Sequence, residues 1–383
     1  MDLKVFANNI EPSALQQIYA LKEHPAFEGQ KIRIMPDVHF GVGCVVGFTS
    51  TFGDKIVPAI IGVDIGCGVD AHFVGRLSTS LQECVLGDSL FSDFDEFVRK
   101  NVPAGFNDHP HDSTVKLPLE MYEFKTRVME TCARTGQVYS KVIRSLGTLG
   151  GGNHFIELAV DEQQDGLWLV IHSGSRGFGN HVAQYYQNLA LKKNGPLSGR
   201  EWLDGSDMND YVEDMAIAQW YAQVNRQMMS AALGVFFPPR AYGDTFQPVL
   251  SVHNYINFKD KIIRKGAISA HVGERVIIPF NMRDGSIIAE GVGNEDWNCS
   301  APHGAGRIMS RGQAKRSVAM DDFRSSMAGI WSSSISEETV DESPMVYKDK
   351  DEIMGLLEPT VKIIHYLKPV YNFKAQEKRR RRR

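Results

Sequence analysis

The chain has 383 residues, 43% hydrophobic and 23% charged, with a formal net charge of −4. That is an ordinary globular composition with length enough for a large core; it excludes a collagen-like, disordered or globally basic chain. Five cysteines (Cys44, Cys67, Cys84, Cys132 and Cys299) in no paired spacing argue against a disulfide scaffold and for a reducing compartment. Met1-Asp2-Leu3-Lys4 lacks the charged-then-apolar order of a secretory signal, and no run of about 18 apolar residues is present. A cytoplasmic protein without a membrane span is therefore expected.

In chain order, residues 11–23 read as a helix opened by Glu11-Pro12-Ser13, with Leu15, Ile18 and Leu21 facing one way. Lys31–Met35 reads as a strand ending in a turn, Pro36 to Gly43, that carries Asp37 and His39. Residues 45–52 and 56–63 read as two further strands. They lead to Gly62-Val63-Asp64-Ile65-Gly66-Cys67-Gly68, a backbone bent by three glycines with a carboxylate and a thiol three residues apart. This stretch fits either a metal-binding loop or a glycine turn with a buried, inert cysteine.

Residues 79–100 and 119–145 read as helices, joined by a polar loop in which His109 and His111 are expected at the surface. Gly147 to Gly152 is a glycine-rich turn feeding a strand, Asn153-His154-Phe155-Ile156-Glu157. Trp168 to His172 repeats the pattern of a strand ending in histidine followed by small residues. Residues 179–193 and 208–232 read as helices, the second burying Tyr211, Met215, Ala218, Ala222, Asn225 and Met229 on one face. Gln247 to His253 is a third strand ending in histidine, residues 265–280 read as a hairpin, and His303-Gly304-Ala305-Gly306-Arg307 lies just before a helix over 308–326. A last strand near Val370–Lys374 precedes a basic tail, residues 375–383, expected to be disordered, with RNA contact as the other reading.

His154, His172, His253 and His303, each at a strand end or glycine turn, form with Asp64 and Cys67 a ligand set with enough donors for two metal ions. A thiolate can bridge, and ligand softness alone favours zinc. These donors come from distant segments without linkers or repeats, which points to one α+β domain over residues 1–374. His303 has a second reading besides that of a ligand. At a helix start its backbone would favour an anion, and its ring could attack a phosphorus centre. Neither a Walker A loop nor GxGxxG is present.

Five stretches together, Pro36-Asp37-Val38-His39, Gly62 to Gly68, Gly150 to Glu157, His172 to Gly177 and His303 to Arg307, resemble the RtcB family of RNA-splicing ligases, in the family's order along nearly the whole chain. The resemblance implies β-sheets that carry a dinuclear metal site at strand ends, flanked by helices. It implies a ligase using GTP and two Mn²⁺ ions, joining RNA 3′-phosphate or 2′,3′-cyclic phosphate ends to 5′-hydroxyl ends, in RNA repair or tRNA splicing. A monomer with no obligate protein partner is expected.

By the same resemblance, Asp64, Cys67 and His154 would hold one ion and Cys67, His172 and His253 the other, and His303 would carry GMP. Asn153, His154, Phe155, Ile156, Glu157, His253, Asn254, Pro279, Phe280, Asn281, Met282, Ser286, His303, Gly304, Ala305, Gly306 and Lys374 match the guanylate pocket. Arg176, Arg307, Arg311 and His39 would contact RNA phosphates. The chain departs from the family at Pro279-Phe280-Asn281-Met282, where Pro-Gly-Ser-Met is usual, and at Ala301-Pro302 before His303. It lies at the short end of the family, as a diverged branch would. A metal-dependent phosphoesterase and a non-catalytic RNA-end binder are the alternative readings of the same residues.

Overall fold

The computed structural model describes residues 1–76, 87–111, 115, 117–161, 163, 166–197, 200–237 and 247–375. Two sheets carry the site. The five-stranded sheet runs, edge to edge, Asp2–Val5, Lys31–His39, Val46–Thr51, Ile262–Lys265 and Asn254–Asn257. The seven-stranded sheet runs Arg275–Asn281, Gly285–Gly291, Val361–Lys374, Phe155–Asp161, Gly166–Ser173, Gly68–Arg76 and Val249–Val252. Its pairings are antiparallel, and in the smaller sheet Asp2–Val5 alone pairs in parallel, with Lys31–Ile34. This is the α+β class that the sequence predicts.

Side-chain alternation along the strands sorts the cores. Ile156, Leu158 and Val160 point to one face of the seven-stranded sheet, where Phe94 and Val98 of the helix Asp88–Asn101 cover them. Phe155 and Ala159 point to the other face, with Val69, Ala71 and Trp168. A third core joins the five-stranded sheet to the helices Tyr122–Thr135, Arg176–Asn194 and Gly205–Gly234 through residues such as Phe48, Phe124, Phe178 and Tyr221. All six residues assigned to the buried face of the last helix are buried. At His253 the chain leaves the seven-stranded sheet and enters the five-stranded one, so that residue sits at the joint between them.

Several elements differ from the sequence reading, each for a local reason. The first helix covers only Pro12–Tyr19, since Pro25 holds His24 extended soon after it. The expected strand over 56–63 is a short helix, Pro58–Ile61, opened by its proline and ended at Gly62 with φ +86°. Residues 36–39 continue the strand instead of turning. Its register with the neighbour is irregular between Ile34 and His39, a bulge that absorbs Pro36. The 119–145 helix is broken at Gly136, which takes a left-handed cap.

The hairpin partner of Arg275–Asn281 is Gly285–Gly291, because Asn281 Oδ1 accepts the Arg283 and Asp284 N–H groups and turns the chain there. The last strand begins at Val361 and takes in Pro369 at a bulge. His111 is exposed, as expected, but His109 is half-buried, its N–H held by the Arg144 carbonyl. The start of the 79–100 helix, Cys84 and the tail over 376–383 lie outside the described residues.

Candidate metal centre and active site

Cys67 lies five residues past the Gly62 turn, where the chain enters the strand Gly68–Arg76. Gly66 there takes φ +74° and presses on the long helix: a Cβ on it would stand 2.8 Å from Gln219 Cα. Arg226 of that helix fixes the loop. Its guanidinium donates to the Gly66 carbonyl (2.9 Å), to the Ser173 carbonyl (3.0 Å) and to Asp70 Oδ1 (2.7 Å). His154 and His172 approach Cys67 from two neighbouring strands, their Nε2 atoms 3.4 and 3.3 Å from Sγ. Asp64 Oδ2 is 2.9 Å from His154 Nε2, and His253 Nε2 is 3.3 Å from His172 Nε2. The five donors matched through the resemblance therefore converge, drawn from segments up to 189 residues apart.

The outer hydrogen bonds decide what the rings offer. His154 Nδ1–H donates to the Leu149 carbonyl (2.8 Å) and His172 Nδ1–H to that of Asn153 (3.1 Å). The His172 ring thus turns its Nε2 toward the sulfur, as metal-binding histidines do, while His154 Nε2 faces both the sulfur and Asp64 Oδ2. Burial pushes the His172 and His253 pKa values well below the ordinary range, so both rings stay neutral. Burial and the Asp64 charge push the Cys67 thiol well above its usual value. Burial opposes ionisation of Asp64, but the His154 hydrogen bond and charge outweigh it and hold the group at about 2. Two imidazole nitrogens and a carboxylate gathered on one buried sulfur fit a cation, which would displace the protons they hold. Cys67, His154 and His172 form the tightest such group among the described residues.

His303 lies beside this cluster, its ring centre 4.9 Å from that of His253. The helix expected to start there begins at Arg311, so a helix dipole does not act on His303. Asp37 does. Its Oδ2 accepts the His303 Nδ1–H at 2.6 Å and the His303 backbone N–H at 3.2 Å, and the carboxylate is fully buried. In the neutral ring this places the lone pair on Nε2. Asp37 sits on the bulged part of its strand. Gly306, with φ +77°, lets the His303 loop pass so close that a Cβ would meet the Asp37 carbonyl oxygen at 2.2 Å. Sequence reading placed Asp37 in a matching motif but assigned it no role at the site; its neighbour His39 was the available signal.

A cavity of about 1050 Å³ opens over both groups. Cys67, His172, His253 and His303 line it. So do Asn153, Phe155, Glu157, Asn254, Pro279, Phe280, Asn281, Met282, Ser286, Gly304, Ala305, Gly306 and Lys374 of the expected nucleotide set. Ile156 does not, because it points to the opposite face of its strand, into the apolar core. His154 reaches the metal cluster from behind. Phe280 lines the cavity but is only 3% exposed and packs with Ile278 and Ile287.

One wall is polar. Asn372 Nδ2 donates to Glu157 Oε2 (2.8 Å), while Glu157 Oε1, Asn372 Oδ1 and the Ser286 hydroxyl are buried without protein partners. Burial raises Glu157 to about 8, against the lowering pull of Asn372 and Lys374. Lys374 bonds Glu342 (3.1 Å) and the Asn153 carbonyl (3.2 Å).

The four residues expected at RNA phosphates are placed differently from one another. Arg307 and Arg311 are held by Asp341 and Glu342 at the cavity edge, with Tyr347 on Glu342. His39 lines the cavity, its Nδ1–H donating to the Asp37 carbonyl. Arg176 lies outside the lining, where it braces Thr148 and the Gly105 carbonyl. Glu342, Tyr347 and Asn372 were missed in the sequence. Asn372 carried a signal, two residues before Lys374 on one strand; the other two carried none.

A sheet-joint cluster of thiol, imidazole and carboxylate donors under a nucleotide-sized cavity places the chain among α+β proteins with a candidate metal centre. The family model described as "tRNA-splicing ligase RtcB" matches residues 17–375, and the chain belongs to the RtcB family. The RNA-splicing ligase RtcB of Escherichia coli is 33% identical to it, over 94% of each chain. The tRNA-splicing ligase RtcB of Aeropyrum pernix is 28% identical, over 84% of this chain and 82% of its own. The RNA-splicing ligase RtcB of Mycobacterium tuberculosis is 28% identical, over 84% and 90%. No helix of the described residues is long and apolar enough to cross a membrane.

Proposed function

We propose that this chain is an RNA ligase that uses GTP and two Mn²⁺ ions to join RNA 3′-phosphate or 2′,3′-cyclic phosphate ends to 5′-hydroxyl ends, through GMP carried on His303. The observation that carries the reading is the Asp37–His303 pair facing the same cavity as the Cys67 cluster. A neutral histidine whose Nδ1–H is held by a buried carboxylate presents Nε2 as a nucleophile. Nε2 attacks the α-phosphorus, a P–N bond forms, the bond to the β-phosphate oxygen breaks and pyrophosphate leaves. Asp37 steadies the positive charge that develops on the ring. GMP then passes to the RNA 3′-phosphate, the 5′-hydroxyl oxygen attacks that phosphorus, and GMP leaves. A cyclic end is first hydrolysed to the 3′-phosphate.

Asp64, Cys67, His154, His172 and His253 would hold the metals, which when bound neutralise phosphate charge. The donor set alone suits zinc; manganese rests on the family resemblance. Glu157, Ser286 and Asn372 keep unpartnered acceptors in the cavity wall, where guanine presents N–H donors on its N1 and N2 edge, so guanine suits them better than adenine.

Mass spectrometry after incubation with GTP and Mn²⁺ tests the reading: a GMP adduct on His303 is expected, followed by ligation of cyclic-phosphate to 5′-hydroxyl RNA. Phosphate-ester hydrolysis without an adduct would make the protein a phosphoesterase, and RNA-end binding without pyrophosphate release a binder. Metal analysis of the purified protein, independent of activity, identifies the ions.

A further inference from the structure

The strand that carries Asp37 ends at His39, and the next residues form the lip of the cavity. Phe40 is 53% exposed there and Val42 83%, while Val63, beside Asp64, is 50% exposed. All three line the cavity. Large apolar side chains left in water are unremarkable on a loose loop, but this loop is pinned. Glu11 accepts the Phe40 N–H (2.6 Å). Gln17 donates to the Gly41 carbonyl (2.6 Å) and accepts the Gly41 N–H (3.2 Å), and Lys265 donates to the Val42 carbonyl. Gly43, with φ +77°, passes within 2.8 Å, counted from a Cβ built on it, of the Ala59 carbonyl oxygen. The backbone is fixed and the rings and methyls are held out beside the reacting groups.

The two ends of the cavity differ in chemistry. From the metal cluster, Phe155 packs on His172 with ring centres 5.5 Å apart, and Lys374 lies over Phe155, leading to the polar wall of Glu157, Ser286 and Asn372. From His303, contacts lead through Asp37 to His39, the residue before Phe40. The polar end suits the nucleotide; the apolar lip has no counterpart in it. We propose that Phe40 is a stacking platform for the base of the terminal nucleotide of the bound RNA, with Val42 and Val63 flanking it. This rests on the ligase reading. RNA ends are single-stranded and their bases are free to stack on an aromatic face. A protein partner is disfavoured because a stable interface needs about 800 Å² on each side, and three side chains at a concave mouth do not supply it.

The test uses the full chain without GTP, so that binding is read apart from chemistry. Two oligoribonucleotides carry 2-aminopurine at the terminal position, one at a 3′-phosphate end and one at a 5′-hydroxyl end. Stacking quenches the fluorescence of at least one of them, and the probe that responds identifies the end. Phe40→Ala abolishes that quench and weakens binding about ten-fold, whereas Phe40→Trp retains both. No quench of either probe by the parent protein, or an unchanged quench and affinity in Phe40→Ala, overturns the proposal. The GMP adduct of the parent protein scores the ligase reading separately.

Discussion

In the proposed mechanism Asp37 and His303 divide one task, and their variants separate it. His303→Ala is expected to form no GMP adduct, to keep its metals, and to seal RNA supplied with a guanylylated 3′ end. Asp37→Asn keeps the shape but not the charge, and an amide can reverse the ring's tautomer; adduct formation should slow by about 10²–10⁴-fold. Metal content, measured by elemental analysis, should not change in either variant, and its loss would show that the pair belongs to the metal centre. Glu157 carries a pH signature. Its carboxyl titrates at about 8 when the cavity is empty, because burial disfavours the charged form. Guanine N–H donors need the carboxylate. Nucleotide affinity should therefore rise as pH increases toward 8, with a proton released on binding below that pH. Calorimetry in buffers of different ionisation enthalpy counts that proton, and Glu157→Gln should remove it.

At the scale of elements, the metal loop depends on the helix behind it. Gly66→Ala would force both a left-handed alanine and a clash with the backbone at Gln219. It should destabilise by about 1–3 kcal/mol in urea unfolding and lower metal occupancy, since Cys67 is the next residue. Phe280 lies in the hairpin of Arg275–Asn281 and Gly285–Gly291. The bulk that replaces a usual glycine packs into the apolar core with Ile278 and Ile287. Phe280→Ala should cost about 3–5 kcal/mol in stability. A change in preference among GTP, ATP and dGTP without that loss would place the ring against the base instead.

For the whole molecule, the metal cluster ties together the loop at Asp64, three strand ends of the larger sheet and the joint at His253. A cation bound there stabilises the native fold by mass action, by about 2.7 kcal/mol at a hundred times its dissociation constant. Thermal unfolding with and without added Mn²⁺ or Zn²⁺ should show that increment in the parent protein and lose it in Cys67→Ala. If Cys67 serves both ions, both binding events should be lost together; unchanged stoichiometry would rule out a bridge.

What was legible in the sequence was what local chemistry marks. Histidines following apolar runs at 172 and 253, an Asp-x-x-Cys among glycines, and a 3.6-residue apolar period in the long helix each identify themselves. Lys374 and Glu157 carried only the family resemblance. Other features were decided by contact between segments far apart in the chain. The order His303-Gly304-Ala305-Gly306 suggested a helix dipole, yet the group that holds the ring is Asp37, 266 residues away. Ile156 stood within a matching motif, but strand alternation turned it into the core. Helix starts, turns and donor types follow from neighbouring residues. The partner of a buried carboxylate, the face a strand turns to a cavity and the lip formed by Phe40 follow from how the two sheets pack.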